Sequence, residues 1–227
     1  HKQTAMERGG MDPERVCVVR SGPKLDRLKI LPPVESLKHG RKYLVGYVGV
    51  MGQQEGIDLL LQACKYIVDE KGRADVHFGL VGGGTSLEEM KTYAVELGVA
   101  DYVTFTDRVP DQEMLEMLNT ADVCVNPDVA NEMNDKSTMN KIMEYMALGK
   151  PLVQFDLTEG RFSAQDASLY ARENDVGDLA EKILYLLDRP EERANMGKLG
   201  KRRVENELEW RHEEPKLLAA YSMLFAD

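Results

Sequence analysis

One stretch of the chain, residues 135–153, constrains the fold most strongly, because a helix and a strand follow each other in it without a spare residue. From Met139 to Met146, apolar residues recur at the spacing i, i+3, i+4 and i+7, which predicts an amphipathic helix over Thr138–Leu148. The segment Gly149–Pro151 ends this helix, and an apolar strand begins at Leu152. A loop–helix–strand module of this kind is typical of α/β folds.

The start of this helix is a candidate site for an anion. We expect the hydroxyl of Ser137 or Thr138 to cap the helix, which leaves several first-turn amides pointing beyond its end. Such an end attracts phosphate, because the amides and the helix dipole both favour negative charge. The residues predicted to bind a phosphate group here, with Lys136 or Lys141 as the counter-charge, are Lys136, Ser137, Thr138, Met139, Asn140 and Lys141.

Two charged residues within the helix, Lys141 and Glu144, allow two interpretations. Their i, i+3 spacing fits a weak ion pair on an exposed surface. Alternatively, Glu144 accepts hydrogen bonds from sugar hydroxyls while Lys141 neutralises a phosphate. The spacing of the two residues is compatible with both interpretations.

The segment Glu144–Pro151, which reads E-Y-M-A-L-G-K-P, resembles the signature of glycosyltransferase family 4 in the GT-B superfamily. In that family a helix reading roughly E-A-M-A-x-G-x-P is followed by an apolar strand, and the resemblance covers nearly the whole chain. It implies that Glu144 binds the ribose hydroxyls of a nucleotide sugar and that the helix start holds the diphosphate. On this resemblance we assign the catalytic role to Lys141 and Glu144.

A Gly-punctuated loop after the first long apolar run also resembles a loop of the family. The loop is Met51–Gly56, and with Gly49 at the end of the preceding run it supplies Gly49 and Gly52 as donor-binding candidates. The family's version, G-R-x-x-x-x-K-G, places an Arg and a Lys on the donor diphosphate. This chain has Val50 and Glu55 at those positions, so that role is not carried over to them.

A second loop, Phe105–Pro110, resembles the family's F-x-G-x-V-P segment, whose backbone meets the nucleobase. Arg108 and Val109 are therefore candidate base contacts. Asp107 replaces the family's glycine, a departure that is expected to alter the shape of the loop.

The family's E-x7-E motif is incomplete in this chain. Its first glutamate normally contacts the donor sugar, but Lys136 stands eight residues before Glu144. Asp135, one residue away, is the predicted substitute. Some family members with a P-x-K-x-x-E-Y-M-A-x-G-K-P pattern also lack that first glutamate, and the segment Lys141–Pro151 is more similar to this variant.

Composition narrows the possible partners. With 227 residues, 43% of them hydrophobic, the chain can bury one sizeable core. Its net charge of −10 and the lack of a basic block argue against nucleic acid or an anionic membrane surface as a partner. No apolar run approaches the roughly 18 residues that span a bilayer, so we expect no transmembrane segment.

The three cysteines are isolated in the sequence and show no metal-ligand spacing. This pattern predicts reduced thiols, no metal site and a cytoplasmic location. Peripheral attachment to a membrane through a domain outside this chain remains an alternative.

Apolar, strand-like runs alternate with helical patterns along the chain. This order predicts an α/β fold with a doubly wound, Rossmann-like parallel sheet of about six strands, which the resemblance identifies as the C-terminal half of a GT-B glycosyltransferase. The predicted organisation is a linker and arm at residues 1–41 with a short strand at Val16–Val19, a donor-binding domain at 42–207, and a C-terminal helix at 208–227. By resemblance, that last helix would return to a missing N-terminal domain.

Three smaller predictions concern the ends of the chain and one loop. Because the chain begins His1-Lys2-Gln3 without a methionine, we expect it to be the interior of a longer protein. The segment Asp156–Phe162 is predicted to be a polar loop. An apolar helical stripe is predicted near the C terminus, formed by Leu217, Leu218, Tyr221, Leu224 and Phe225.

The family transfers a sugar from an activated nucleotide with retention at the anomeric carbon and without an essential metal. The resemblance therefore implies a retaining glycosyltransferase of polysaccharide or glycoconjugate biosynthesis, with a UDP- or GDP-sugar as substrate and no cofactor. This chain would be its donor-binding domain, and a missing N-terminal domain would bind the acceptor. Alone, the chain is expected to bind nucleotide and to transfer nothing.

Three rival functions fit parts of the sequence. The first is a non-catalytic nucleotide-binding or scaffold domain derived from a glycosyltransferase, which the missing Arg, Lys and first Glu favour. The second is a GT-B-shaped sugar-nucleotide epimerase. The third is a nicotinamide oxidoreductase, which gains little support because Leu87 stands where a dinucleotide-binding fingerprint after Gly82–Gly84 would need a third glycine.

Overall fold

Six parallel strands form one sheet in this computed structural model, which describes the backbone of residues 2–225 and the side chains of residues 2–223. The strands are nearly continuous apolar runs, as expected where both faces of a parallel sheet are covered. Their order is β3-β2-β1-β4-β5-β6, which confirms the predicted doubly wound sheet. The strands are β1 (Tyr43–Val48), β2 (Val76–Val81), β3 (Val103–Phe105), β4 (Val123–Asn126), β5 (Leu152–Phe155) and β6 (Ser168–Ala171).

Ten α-helices are described within residues 2–225, and most of them cover the two faces of the sheet. They are α1 (Lys2–Gly9), α2 (Ile57–Lys65), α3 (Leu87–Glu96), α4 (Asp111–Thr120), α5 (Glu132–Asp135), α6 (Asn140–Ala147), α7 (Thr158–Ala164), α8 (Val176–Leu187), α9 (Pro190–Arg203) and α10 (Glu214–Phe225). One apolar cluster packs α2, α3 and α8 against one face of the sheet, and a second packs α4 and α6 against the other. Within residues 2–225, no helix has the length and the apolar character needed to cross a bilayer.

Two predictions made from short stretches of sequence are wrong, because contacts with distant parts of the chain determine the structure of both stretches. Val16–Val19 forms no strand, because its backbone pairs with no strand of the sheet and the segment lies beside α10 instead. The predicted polar loop Asp156–Phe162 contains most of α7. The amide of Thr158 at the start of α7 donates to Asp135 Oδ1 at 2.7 Å, a cap from a distant residue that no local pattern announces.

The N-terminal arm and the tail pack against the domain and against each other. Leu25, Leu28, Leu31 and Leu37 of the arm lie on the apolar cluster of α4 and α6. The arm also contacts the tail, because the amide of Trp210 in the tail donates to the carbonyl oxygen of Pro23 in the arm at 3.0 Å. The segment 1–41 is thus attached to the body of the domain along much of its length.

The apolar stripe predicted for the tail falls within α10 and is only partly covered. Leu217 is half-buried beside Cys17 and Val19 of the arm, whereas Leu218 and Tyr221 are 60% and 56% exposed. The side chains of the other two predicted members, Leu224 and Phe225, lie outside the described residues. Whether α10 belongs to a further domain interface stays a prediction.

Candidate functional site

The strand order reverses between β1 and β4, and at such a switch point an open α/β sheet forms a crevice beside the carboxyl ends of the two strands. Gly49–Gly56 follows β1, and Pro127 and Asp128 follow β4. The two segments touch through a glycine in the left-handed conformation, Gly56, whose φ is 62°. A Cβ atom at that position would overlap the carbonyl oxygen of Pro127, so only glycine allows this approach.

A buried ionic cluster stands in the crevice. The Nζ atom of Lys141 lies 2.5 Å from Glu55 Oε2 and 2.7 Å from Asp128 Oδ1, and 3.5 Å from the hydroxyl oxygen of Tyr47. The side chains of Lys141, Glu55 and Asp128 are 10%, 16% and 1% exposed. One ammonium is therefore held between two carboxylates, and the charge of Lys141 is more than neutralised by this chain.

The burial of this cluster changes the protonation of its members. Burial raises the pKa of Asp128 to about 6, although Lys141 pulls it down, and the neighbouring carboxylate of Glu55 raises it further. Burial likewise raises the pKa of Tyr47, so its phenol stays protonated. Within the described side chains, Asp128 Oδ2 and the amide group of Asn126 have no hydrogen-bond partner. These polar atoms are therefore available for further hydrogen bonds.

The start of α6 differs from the predicted one. The expected hydroxyl cap is wrong: Ser137 Oγ donates to the carbonyl oxygen of Met133 at 2.6 Å, and Thr138 Oγ1 donates to Glu159 Oε2 at 3.1 Å. Met139 precedes the first helical residue, Asn140, without any side-chain cap. The helix thus starts two residues later than expected, because both hydroxyls find partners outside it.

This arrangement leaves an open row of backbone donors. Among residues 2–225, none accepts a hydrogen bond from the backbone amides of Thr138, Met139, Asn140 and Lys141. Asn140 is exposed, and the other three residues are partly exposed. Four consecutive amides at a helix start that is open to solvent can bind an anion.

Glu144 lies one turn further along α6, and no described hydrogen bond or ion pair joins it to the ionic cluster. The ion pair between Lys141 and Glu144 that the spacing allowed is wrong, because Lys141 pairs with the two carboxylates of the crevice. Glu144 is half-buried, and this burial raises its pKa. Arg27 lowers the pKa of Glu144 and Asp111 raises it. Glu144 therefore lies within electrostatic reach of the start of α4.

The loop that leads from β3 into α4 contains the predicted base contacts. Arg108 is exposed, and its amide donates to Asp107 Oδ1 at 2.7 Å. Val109 packs against the same apolar cluster as Met139. Asp107 has a φ of 59° and so adopts, without being glycine, the left-handed conformation that the family's glycine permits.

The remaining predicted residues lie around the crevice in different roles. Gly49 follows β1 directly, with its amide bound to the carbonyl oxygen of Val81 at 3.0 Å, and Gly52 begins a short 3-10 turn. Asp135 caps α7, as described above. Lys136 pairs with Glu132 at 2.6 Å on the exposed side of α5. A Cβ atom on Gly49 would lie 3.5 Å from Lys141 Nζ, so the structure brings these two residues together, while Asp135 and Lys136 are engaged at neighbouring helices.

Sequence reasoning missed Asp128, Tyr47 and Arg20. Asp128 carried a usable signal, since it is a carboxylate two residues after a buried strand. Arg20 carried none, because its Nη1 atom reaches Thr138 Oγ1, at 3.5 Å, from 118 residues away in the chain. Glu55 stands in the sequence where the family has a lysine, but no sequence pattern indicates its pairing with Lys141.

Comparison with known proteins finds glycosyltransferases among the sequences similar to this chain. Curated relatives include a 2-deoxystreptamine glucosyltransferase of Streptomyces kanamyceticus, 28% identical over 65% of this chain and 37% of the relative. They also include a D-inositol 3-phosphate glycosyltransferase of Thermomonospora curvata, 27% identical over 94% of this chain and 52% of the relative. This chain therefore spans about half or less of the length of these relatives.

Solved structures agree on the fold. HepE of Anabaena, solved in complex with UDP and glucose, aligns with a TM-score of 0.80 at 17% identity, over 97% of this chain and 60% of that one. A glycosyltransferase of Rickettsia africae aligns with a TM-score of 0.82 at 16% identity, over 100% and 62%. The family model described as glycosyl transferases group 1 matches residues 42–189, which contain the whole sheet and every crevice residue described above except Arg20 and Arg27. The chain belongs to the family of group 1 glycosyl transferases.

Proposed function

We propose that this chain is the donor-binding domain of a retaining glycosyltransferase that takes its sugar from a nucleotide sugar. The single observation that carries the proposal is the row of four unpaired amides, Thr138–Lys141, open at the carboxyl edge of the sheet. Membership of the group 1 glycosyl transferases supports the reaction class. HepE, a protein of the same fold, was solved with UDP and glucose, which supports a nucleotide sugar as the donor.

The proposed roles follow from what each group offers. The leaving diphosphate gains charge as the glycosidic bond breaks, and amides fixed at the start of α6 stabilise that charge most in the transition state. Glu144 accepts hydrogen bonds from the ribose hydroxyls. The backbone around Arg108 and Val109 meets the base, and Gly49 and Gly52 let the ligand approach the chain closely. Lys141 fixes the position of Glu55 and Asp128, and Asp135 fixes the start of α7, so both residues maintain the shape of the crevice around the donor sugar.

The proposal includes retention at the anomeric carbon, the absence of a cofactor, and a second domain that binds the acceptor. It also includes a cytoplasmic location, which the free thiols of Cys17, Cys64 and Cys124 support because disulfides are rare in that compartment. Turnover of a nucleotide sugar by the full-length protein would separate this proposal from a non-catalytic domain.

Nucleotide binding by the chain tests the proposal directly. Thermal unfolding is measured with UDP, GDP, ADP and their sugar conjugates, and a binder present at about a hundred times its dissociation constant should stabilise the chain by roughly 2.7 kcal/mol. No shift with any of the nucleotides would contradict the proposal.

Glu144 is then tested with a ligand pair that differs only in the ribose. Glu144→Ala should bind the active nucleotide about 10- to 100-fold more weakly, as expected for hydrogen bonds to a charged group, and should lose the preference over the 2′,3′-dideoxy analogue. Glu113→Ala, which removes an exposed carboxylate of α4, is the control and should bind normally. An unchanged preference in Glu144→Ala would remove Glu144 from the ribose site.

A further inference from the structure

The buried ionic cluster of the crevice supplies no net positive charge to a diphosphate. Lys141 is held between Glu55 and Asp128, so this cluster carries a net negative charge. The two loop positions at which the family resemblance expects cations hold Val50, which is 56% exposed, and Glu55 itself. A nucleoside diphosphate that binds the amides of α6 therefore needs a counter-charge from elsewhere in the chain.

Arg20 of the N-terminal arm brings a guanidinium to the segment that precedes α6. Its Nη1 atom lies 2.5 Å from Glu159 Oε2 and 3.5 Å from Thr138 Oγ1, and its Nη2 atom lies 3.2 Å from Glu159 Oε1. The guanidinium carbon is 4.1 Å from the centre of the Phe162 ring. The fork of Arg20 is thus oriented by a bidentate carboxylate contact and by stacking, next to the first of the four unpaired amides.

The backbone around Arg20 is held in place as well. The amide of Arg20 donates to Glu213 Oε2 at 3.0 Å, and the carboxylate of Glu213, which is buried, also pairs with Lys216 at 2.6 Å. Three residues further on, Pro23 accepts the hydrogen bond of the Trp210 amide. These contacts position the arginine before any ligand arrives, which lowers the entropic cost of using it.

There is room for a ligand beside the guanidinium. A cavity of about 820 Å³ lies between the arm and the segment before α6, with Val19, Arg20, Ser21, Ser137, Thr138 and Glu159 in its lining. Arginine binds phosphate and carboxylate groups in the same bidentate geometry, so a phosphate can replace the Glu159 carboxylate at the fork.

We propose that Arg20 is the diphosphate-binding cation of this chain and that Glu159 is the partner it exchanges for the phosphate when the donor binds. This inference rests on the proposed function, because it assumes that the start of α6 receives a nucleoside diphosphate. It assigns a role in donor binding to the arm, which lies outside the segment matched by the family model.

The test separates the phosphate contribution from the rest of the nucleotide. Affinities for UDP, uridine and inorganic pyrophosphate are measured by calorimetry with the full chain and three variants. Arg20→Gln should weaken UDP and pyrophosphate about 10- to 100-fold and leave uridine unchanged, as expected for lost charge-assisted hydrogen bonds. Glu159→Gln should tighten UDP and pyrophosphate several-fold, because Arg20 no longer has to leave a carboxylate.

Arg161→Gln is the matched control. Arg161 also pairs with a carboxylate, Asp156 at 2.5 Å, and stacks on a ring, that of Tyr170 at 4.0 Å, but it does not contact Thr138. Its replacement should leave all three affinities unchanged.

The outcomes distinguish the inference from the function on which it rests. An Arg20→Gln variant that binds pyrophosphate as well as the parent, or that loses uridine and UDP equally, overturns the role of Arg20, and so does weaker binding in Glu159→Gln. Failure of the parent chain to bind UDP, GDP and ADP overturns the proposed function, whereas pyrophosphate binding that is lost in Arg20→Gln would still support Arg20. A parent chain that binds neither nucleotides nor pyrophosphate overturns both.

Discussion

At the scale of single residues, Asp128 makes the stability of the chain depend on pH. Its pKa is raised to about 6 from an ordinary value of 3.8, mainly because it is buried. A carboxyl whose pKa is higher in the folded state binds its proton more tightly there, so protonation favours folding. This contribution to stability is fully present below about pH 4 and is lost as the pH rises through about 6.

We therefore expect the free energy of unfolding of the parent chain, relative to that of Asp128→Asn, to fall by on the order of 1–3 kcal/mol between pH 4 and pH 7. Above pH 7 the difference should stay constant. Urea denaturation at a series of pH values measures it, with Asp101→Asn, which removes an exposed carboxylate, as the control. A difference that is independent of pH, or that grows as the pH rises, would contradict the raised pKa of Asp128.

At the scale of elements, the sequence predicted the parts whose causes are local. The doubly wound sheet, its six strands and the start of β5 at Leu152, shortly after α6, agree with what periodicity and turn residues predict. The helix α7 was missed because its cap, Asp135, comes from another segment. Likewise, the clusters around Lys141 and Arg20 join residues that are far apart in the sequence. Spacing could therefore place the start of α6 to within two residues but not the charges that surround it.

The position of α6 depends on a close contact with α9. Gly197 of α9 approaches Gly149, which ends α6 in the left-handed conformation with a φ of 68°. A Cβ atom on Gly197 would overlap the carbonyl oxygen of Gly149, which belongs to the backbone and cannot rotate away. The two elements can pack this closely only because residue 197 has no side chain.

Gly197→Ala should therefore lower the free energy of unfolding by roughly 2 kcal/mol, even though alanine is the better helix former by about 1 kcal/mol. Gly177→Ala in α8 is the matched control: its Cβ would meet only Asp175 Oδ1, at 3.4 Å, so it should stabilise the chain by about 0.5 kcal/mol. Urea denaturation of the two variants measures both changes in the free energy of unfolding. If Gly197→Ala is as stable as Gly177→Ala, the contact between α6 and α9 is not as close as described.

At the scale of the whole molecule, the arm and the tail should unfold together with the sheet. The only tryptophan of the chain, Trp210, donates its amide to Pro23 of the arm, so its fluorescence reports on this junction. Far-UV circular dichroism reports on the helices and strands of the domain instead. Because the leucines of the arm lie on the apolar cluster of α4 and α6, separating the arm would expose that cluster to water.

We expect the fluorescence and circular dichroism transitions in urea to coincide, as they do for a single cooperative unit. Leu28→Ala, which shortens a half-buried side chain on this cluster, should lower the free energy of unfolding by about 1–2 kcal/mol and move both transitions equally. Ile30→Ala, at a neighbouring position that is 61% exposed, should move neither. A fluorescence transition at lower urea, moved alone by Leu28→Ala, would mean that the arm is a separate appendage. In that case Arg20 would not be held beside Thr138 before the donor binds.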